Sequence, residues 1–405
     1  MEFLPILSAL RRNKVGAILV AVQIALTLAV VANALSIIQH HLSEMRRPSG
    51  VDEANIFTLR NRWVGQPEDL RARIEADLTA LRTLPGVIDA VATNSYPLLG
   101  GGFSFGLRLK PDQKQDAVQT TLYFSDSHGL DALGLKLIQG RWFTASEIGE
   151  FHVDDIKGAP GLVITSSLAR KLFPAGNALG RSIYMMNDDP MPIVGIVERA
   201  QTPWPGVGDL ESFVENSTFM PYVFVNNGLA YVVRTRPGQL AAVMHAAPAR
   251  LLGITRQRVI HELMPFTATR TRAYQVQQAT SWLLEAVSGL LLVITALGTV
   301  GLTMYWVSQR RREIGMRRAL GARRVDILRY FQTENLLISG TGALLGVATG
   351  LGANLWMASH LAITRMSVSY IGAGAAIVLI LSQLAVLGPA LRAASISPSL
   401  ATRGL

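Results

Sequence analysis

A serine between two glycines is the first place to look for chemistry. Gly102-Phe103-Ser104-Phe105-Gly106 has the G-x-S-x-G spacing of a nucleophile elbow, in which a sharp strand-to-helix turn lifts a serine hydroxyl toward a substrate carbonyl. The elbow needs a helix directly after the serine. Leu107-Arg108-Leu109-Lys110-Pro111 follows instead, a strand-like run stopped by proline. The segment therefore reads as a glycine-rich loop presenting two aromatics. No G-x-x-x-x-G-K-[ST] phosphate loop occurs, which removes ATP binding by that route. The seven histidines form no H-E-x-x-H, and His40-His41 suits an interfacial position better than a metal site. With no cysteine there is no thiolate ligand, disulfide or thiol nucleophile. The chain is expected to be non-catalytic, with no catalytic, cofactor-binding or metal-binding residues of its own.

The residues that remain are arginines, and their placement is informative. The net charge is +10, but it is not spread over the chain. Arg11, Arg12 and Lys14 stand near the start, Arg392 and Arg403 near the end, and eight arginines lie between 308 and 329. The remaining 25 basic residues are balanced by 25 acidic ones. A nucleic-acid partner is not indicated, because each basic cluster abuts an apolar run. Those runs are Val15 to Ile38, Trp282 to Val307, Asn335 to Met357 and Val368 to Leu391. About 20 apolar residues suffice to span a bilayer, and all four runs qualify. Only 16% of residues are charged and mean hydropathy is +0.30, against roughly 25% charged in ordinary globular chains. A cleaved signal peptide ending near Ala32-Asn33-Ala34 is the competing reading of the first run, which is longer than the usual apolar segment of one.

Basic residues stay on the cytoplasmic side. The three clusters fit one topology, with both termini cytoplasmic and a large domain outside. The expected order is a cytoplasmic N-terminus 1–14, a first span 15–38, a periplasmic domain with stalk helices 39–281 and a second span 282–307. A cytoplasmic segment 308–334, a third span 335–357, a short outer loop 358–367, a fourth span 368–391 and a cytoplasmic C-terminus 392–405 follow. The expected fold class is an α-helical membrane protein with four transmembrane helices and a large extracytoplasmic α/β plus β domain between the first two.

Within that domain, Ile56 to Arg60 reads as a strand, Glu68 to Leu84 as an amphipathic helix and Val87 to Thr93 as a strand. Tyr231 to Thr235, Gly238 to Leu252 and Arg258 to Leu263 repeat this strand–helix–strand order. The two ends predict one α/β module, about 50–100 and 225–265, split by an insertion. The insertion, about 100–225, is rich in glycine, proline and short β signals such as Leu162-Val163-Ile164 and Ile193 to Val197. It has one clear helix, Ser166 to Leu172. Ser36 to Met45 and Tyr274 to Ser281 are polar continuations of the first two runs, and predict helices that leave the bilayer as a stalk.

The cluster at 308–329 exceeds what orientation requires. Gln309 to Leu320 has helical propensity, Gly321 can end the helix, and Val325 to Leu337 continues into the third run. Ile314, Met316, Ala319 and Leu320 add apolar surface, so this helix suits docking of a cytoplasmic partner as well as attraction to anionic lipid. Gly342, Gly346 and Gly350 recur at four-residue spacing, which lets another helix approach closely, in the same chain or a second one. Glu285 near the outer end of the second run reads as interfacial, with a substrate path as the lesser alternative.

Arg312-Glu313-Ile314-Gly315-Met316-Arg317-Arg318-Ala319-Leu320-Gly321-Ala322 is very similar to the R-E-I-G-I-R-R-A-L-G-A signature of MacB/FtsX-like ABC transporter permeases. Pro389-Ala390-Leu391-Arg392-Ala393-Ala394-Ser395-Ile396-Ser397-Pro398 resembles their C-terminal stretch. Gly140-Arg141-Trp142-Phe143 and Val163 to Ile183 resemble their periplasmic core. The resemblance implies a dimeric permease, paired with a second copy or a sister permease, in the bacterial inner membrane. It implies that 309–321 is a coupling helix seated in a cytoplasmic ABC ATPase. Because the first run begins at residue 15, the ATPase is expected as a separate chain that binds ATP and Mg. The implied mechanism is mechanotransmission to the periplasm. The leading reading is tripartite efflux of an antibiotic, peptide or similar small molecule with a periplasmic adaptor (membrane fusion protein) and an outer-membrane duct. Lipoprotein release and FtsX-like signalling to a cell-wall hydrolase are the alternatives.

Overall fold

The computed structural model describes residues 14–65, 68–151, 158–185, 188–206, 208–360 and 367–396. Arg11, Arg12 and Arg403, residues 361–366 of the expected outer loop, and Ser397-Pro398 of the C-terminal stretch lie outside the described residues. The chain divides into two compact units, 44–276 and a second made of 1–43 with 277–405.

Among the described residues, four helices are long and apolar enough to cross a membrane by length and composition. They lie in α1 (Lys14–Met45), α7 (Gln275–Gln309), α9 (Arg324–His360) and α10 (Val368–Ala394). At 1.5 Å per residue, 32 residues of α1 and 35 of α7 reach roughly 48 and 52 Å, well beyond the ~30 Å hydrocarbon layer. Helices in lipid gain nothing from hiding apolar side chains from one another, so small residues and polar pairs decide their contacts. Thr27 and Thr295 join hydroxyls at 2.7 Å and Gln23 Nε2 donates to Ile294 O at 3.1 Å, linking α1 to α7. Asn335 Nδ2 donates to Ser382 Oγ and O at 3.0 and 3.2 Å, linking α9 to α10.

Among the described residues, the large domain holds two main sheets and a separate two-stranded pair. β1 (Ile56–Trp63), α2 (Leu70–Arg82) and β2 (Val87–Thr93) form one strand–helix–strand unit, and β12 (Gly228–Thr235), α5 (Leu240–Ile254) and β13 (Arg258–Pro265) form the other. They interleave in the order β13-β1-β12-β2, with every neighbouring pair antiparallel. This is the split β-α-β arrangement, interrupted between β2 and β12. Strand alternation sorts the side chains. Phe57, Leu59, Ala90, Ala92, Tyr231 and Val233 pack under the two helices with Ile74, Leu78 and Leu251. Ile56, Val91, Ala230 and Val232 face the other way, into a core shared with Tyr123, Trp142, Val163 and Phe219.

Those last four residues belong to the inserted part. Its main sheet has the order β3-β4-β10-β7-β9-β5, with β8 paired to β9. The strands are β3 (Phe103–Leu107), β4 (Val118–Phe124), β5 (Leu137–Gly140), β7 (Leu162–Thr165), β8 (Ser182–Ile183), β9 (Met191–Val197) and β10 (Ser217–Met220). β6 (Gly149–Phe151) and β11 (Tyr222–Phe224) form a separate pair. The outer face of the main sheet buries Leu122, Phe124, Ile164 and Ile196 against α4 (Ser166–Leu172).

Two helices depart from the sequence reading. α3 (Gly129–Leu133) stands in the insertion, where one helix was expected, and ends at Gly134 with φ +64°. It is too short for a periodic pattern to reveal it. α6 (Phe266–Ala273) is the other: it stops at Tyr274, and α7 then runs unbroken from Gln275 through the polar continuation into the second span.

Candidate functional site: the arginine-rich helix

α7 ends at Gln309, and after Arg310 the chain winds into α8 (Arg311–Ala319). Two reverse hydrogen bonds end α8, Ala322 N to Arg317 O at 3.0 Å and Gly321 N to Arg318 O at 3.2 Å. This 6→1 and 5→2 pair requires a left-handed residue after the cap, and Gly321 supplies it with φ +98°. Asp326 Oδ2 then accepts from Arg323 N at 2.9 Å, which satisfies a free N–H at the start of α9.

The helix is two-sided. Ile314 and Gly315 are buried. Ile314 joins Val307, Ile327, Phe331, Val386, Ala390 and Ala393 in one apolar cluster. The expectation that Ile314 contributes apolar docking surface is therefore corrected. Its side chain turns inward, because the ends of α7, α9 and α10 converge on that face. Met316 is 55% and Leu320 89% exposed. Arg311, Arg312, Glu313, Arg317, Ala319 and Gly321 are exposed around them.

Several arginines act within the chain. Arg310 Nη1 lies 3.0 Å from Glu334 Oε2, with the carboxylate 2% exposed. Arg318 Nη1 donates to Ala394 O at 2.8 Å and Ile396 O at 2.9 Å, holding the carbonyl end of α10 where a cation is favoured. The Arg317 guanidinium lies 5.0 Å over the Tyr330 ring, a cation–π distance. α8 is thereby fastened to α9 and α10, while Met316, Leu320, Arg311 and Arg312 face outward. Such a surface suits a protein contact, with apolar knobs inside a ring of positive charge.

The glycine stripe faces α1. A Cβ at Gly342 would lie 2.6 Å from Ala21 O, and one at Gly346 2.8 Å from Ala25 O. At Gly350 the nearest atom is Ala29 Cα at 3.5 Å. Ser104 sits inside β3, paired with Thr121 and exposed, so no elbow forms. Glu285 is exposed on α7. His41 Nδ1 lies 3.4 Å from Ser281 Oγ, and among the described residues no group of ligating side chains could hold a metal.

Two arginine sites escaped the sequence reading. Arg258 and Asp77 form a fully buried bidentate pair at 2.7 and 2.8 Å, joined by the Tyr231 hydroxyl at 2.6 Å. A signal existed, since Asp77 falls on the apolar stripe of α2 with Ile74, Leu78 and Leu81. Arg270 on α6 donates to Met45 O at 2.9 Å, Arg47 O at 3.0 Å and Glu53 Oε2 at 2.6 Å. Burial raises the Glu53 carboxyl, but hydrogen bonds from Arg270 and Ser49 outweigh it and hold the group below its ordinary value. Nothing in the spacing around Arg270 announces this clasp.

Four candidate spans, a large α/β domain after the first, and a fastened basic helix after the second define a membrane permease architecture. The family model of the MacB-like periplasmic core domain matches residues 17–249, and that of the FtsX-like permease C-terminal region matches 285–398. The chain belongs to the MacB/FtsX-like permease family. It is 24% identical over 335 residues to the macrolide export ATP-binding/permease protein MacB of Marinobacter nauticus, covering 80% of this chain and 47% of that protein. It is 27% identical over 257 residues to the pyoverdine export ATP-binding/permease protein PvdT of Pseudomonas savastanoi pv. phaseolicola, covering 61% and 36%. The chain thus spans less than half the length of these relatives. Among solved structures, the periplasmic region of MacB from Actinobacillus actinomycetemcomitans aligns with 17% identity and a TM-score of 0.34, covering 57% of this chain and 97% of that one.

Proposed function

We propose that this chain is the permease subunit of an ABC transporter and couples ATP hydrolysis by a separate nucleotide-binding subunit to movement of its large domain. The observation that carries the reading is α8, fastened on one side and free on the other. Met316 and Leu320 seat in the ATPase, and Arg311, Arg312 and Glu313 flank that contact. The Arg310–Glu334 pair, Arg318 and Ile314 pass the motion to the spanning helices, which transmit it because their backbone bonds are internally satisfied. Arg317, Ala319, Gly315 and Gly321 shape the element. ATP and Mg belong to the partner. The working unit is a dimer with a second copy or a sister permease, in the bacterial inner membrane, with α8 and both termini cytoplasmic and the large domain periplasmic. The cargo is a small molecule taken toward an adaptor and an outer-membrane duct; the export functions in the names of the MacB and PvdT relatives support this.

The test is purification of the tagged full-length chain from its native membranes in mild detergent. An ABC ATPase should accompany the wild type, and a Met316→Asp/Leu320→Asp variant should recover roughly tenfold less, the ratio for about 1.4 kcal/mol lost at a desolvated contact. Equal recovery with both proteins would refute docking through α8.

A further inference from the structure

A cleft of about 370 Å³ opens in the large domain, within the range of small-molecule sites. All of its lining residues belong to the unit 44–276. We infer that it binds a small amphipathic monoanion, with an apolar or aromatic body against Trp204 and Tyr96 and a carboxylate between Arg60 and Arg272.

Three observations meet there. The first is a charge imbalance. Arg60 and Arg272 share one carboxylate, Glu262, at 3.3 and 3.5 Å. Charge-assisted pairs usually close to about 2.7–2.9 Å, so both contacts are loose. Among the described residues neither guanidinium has another hydrogen-bond acceptor. Two cations over one anion leave a net positive charge and unused N–H donors facing the cleft.

The second is backbone strain. Among the described residues, two other than glycine have positive φ, Leu98 at 70° and Glu262 at 51°. Both line this cleft. Such conformations cost of order 1–3 kcal/mol each and gather at functional sites. The pairing of β1 with β13 also shifts register between Thr58 and Arg60, and bulges of this kind re-aim side chains. Arg60 and Glu262 are therefore set by irregular backbone, where a regular ladder would have satisfied the same core.

The third is a pair of buried hydroxyls. Thr269 is 4% exposed and lines the cleft within hydrogen-bonding reach of the Tyr96 hydroxyl. A bound carboxylate would accept from the Thr269 hydroxyl and from the guanidiniums together. The donors exceed the acceptors, which selects an anion over a neutral or cationic molecule of the same shape.

The experiment uses the full-length chain in lipid nanodiscs without any ATPase, so its outcome is independent of docking at α8. The probe is naphthalene-2-carboxylate, followed by equilibrium dialysis against empty nanodiscs. Saturable binding above the empty-disc level is expected. The Arg60→Gln/Arg272→Gln variant and the neutral probe 2-naphthalenemethanol should each bind at least roughly tenfold more weakly. Arg60→Lys/Arg272→Lys should keep most of the affinity, and Trp204→Ala should lose it. No saturable binding, or equal binding of the neutral alcohol, overturns the inference. If the glutamine variant fails to fold, as read by thermal unfolding, the lysine variant and the neutral probe still decide.

Discussion

The glycine stripe on α9 allows a prediction graded by distance. Replacing each glycine with alanine adds one Cβ and nothing else. Ordinary van der Waals contact begins at 3.4 Å. At Gly342 the new Cβ would meet Ala21 O at 2.6 Å, which is 0.8 Å too close. At Gly346 it would meet Ala25 O at 2.8 Å, 0.6 Å too close. At Gly350 it would stand 3.5 Å from Ala29 Cα, with no conflict. The clashing atoms at the first two sites are backbone carbonyls and cannot rotate away, so α1 and α9 must separate. Overpacking of this kind costs about 1–3 kcal/mol, while Gly→Ala in a helix returns about 1 kcal/mol. Gly342→Ala should therefore lose up to about 2 kcal/mol, Gly346→Ala slightly less, and Gly350→Ala should be neutral or gain about 1 kcal/mol. Reversible unfolding in mixed detergent micelles, followed by far-UV circular dichroism, measures the series. Equal shifts at all three positions, or a loss confined to Gly350, would refute close packing of α9 on α1 through this face.

Asp77→Ala strands a fully buried guanidinium and should cost about 3–5 kcal/mol, whereas an apolar Asp77→Leu/Arg258→Met pair should cost far less; denaturant titration separates the two outcomes. Ile314→Ala should lose about 2–5 kcal/mol by leaving a cavity, so thermal unfolding should drop even where no ATPase is present. Glu147 is held down to about 2, chiefly by its bond to Arg141, and Glu53 is also depressed. A lowered folded pKa gives stability that is present above the ordinary carboxylate range and lost as pH falls. Unfolding temperature should therefore decline as pH drops from about 4.5 toward 2. Glu53→Gln should lower the neutral-pH plateau and flatten that decline; an unchanged profile would count against the clasp.

The spans and the halves of the split module were legible because their signals are long and periodic. Val87 to Thr93 and Ser166 to Leu172 were read to the residue. The α8 element was legible from composition, but its sidedness was not. Ile314 and Leu320 are both apolar, and only the converging helix ends decide that one is buried and the other 89% exposed. The strained cleft was invisible for a similar reason. Leu98 and Glu262 are not residues that announce a left-handed backbone, and Arg60, Trp204 and Arg272 are far apart in the chain.

One device recurs where helices meet other chain segments. An arginine collects carbonyl oxygens at a helix end, Arg318 through one nitrogen for α10 and Arg270 through two for the end of α1 and the segment after it. Arg270 reaches Met45 O, Arg47 O and Glu53 at once, and a lysine ammonium has neither the span nor the planar fork to do so. That side chain links the exit from α1 to the helix leading to α7, beside the packing of Met45 with Phe266 and Tyr274. Arg270→Lys keeps the charge, so a purely electrostatic role predicts little change. A bridging role predicts a loss of about 1–3 kcal/mol, the cost of leaving part-buried acceptors unmet, and faster amide exchange confined to residues 45–55 and 266–273. Exchange at both segments indistinguishable from wild type would mean that charge, and not the fork, holds this junction.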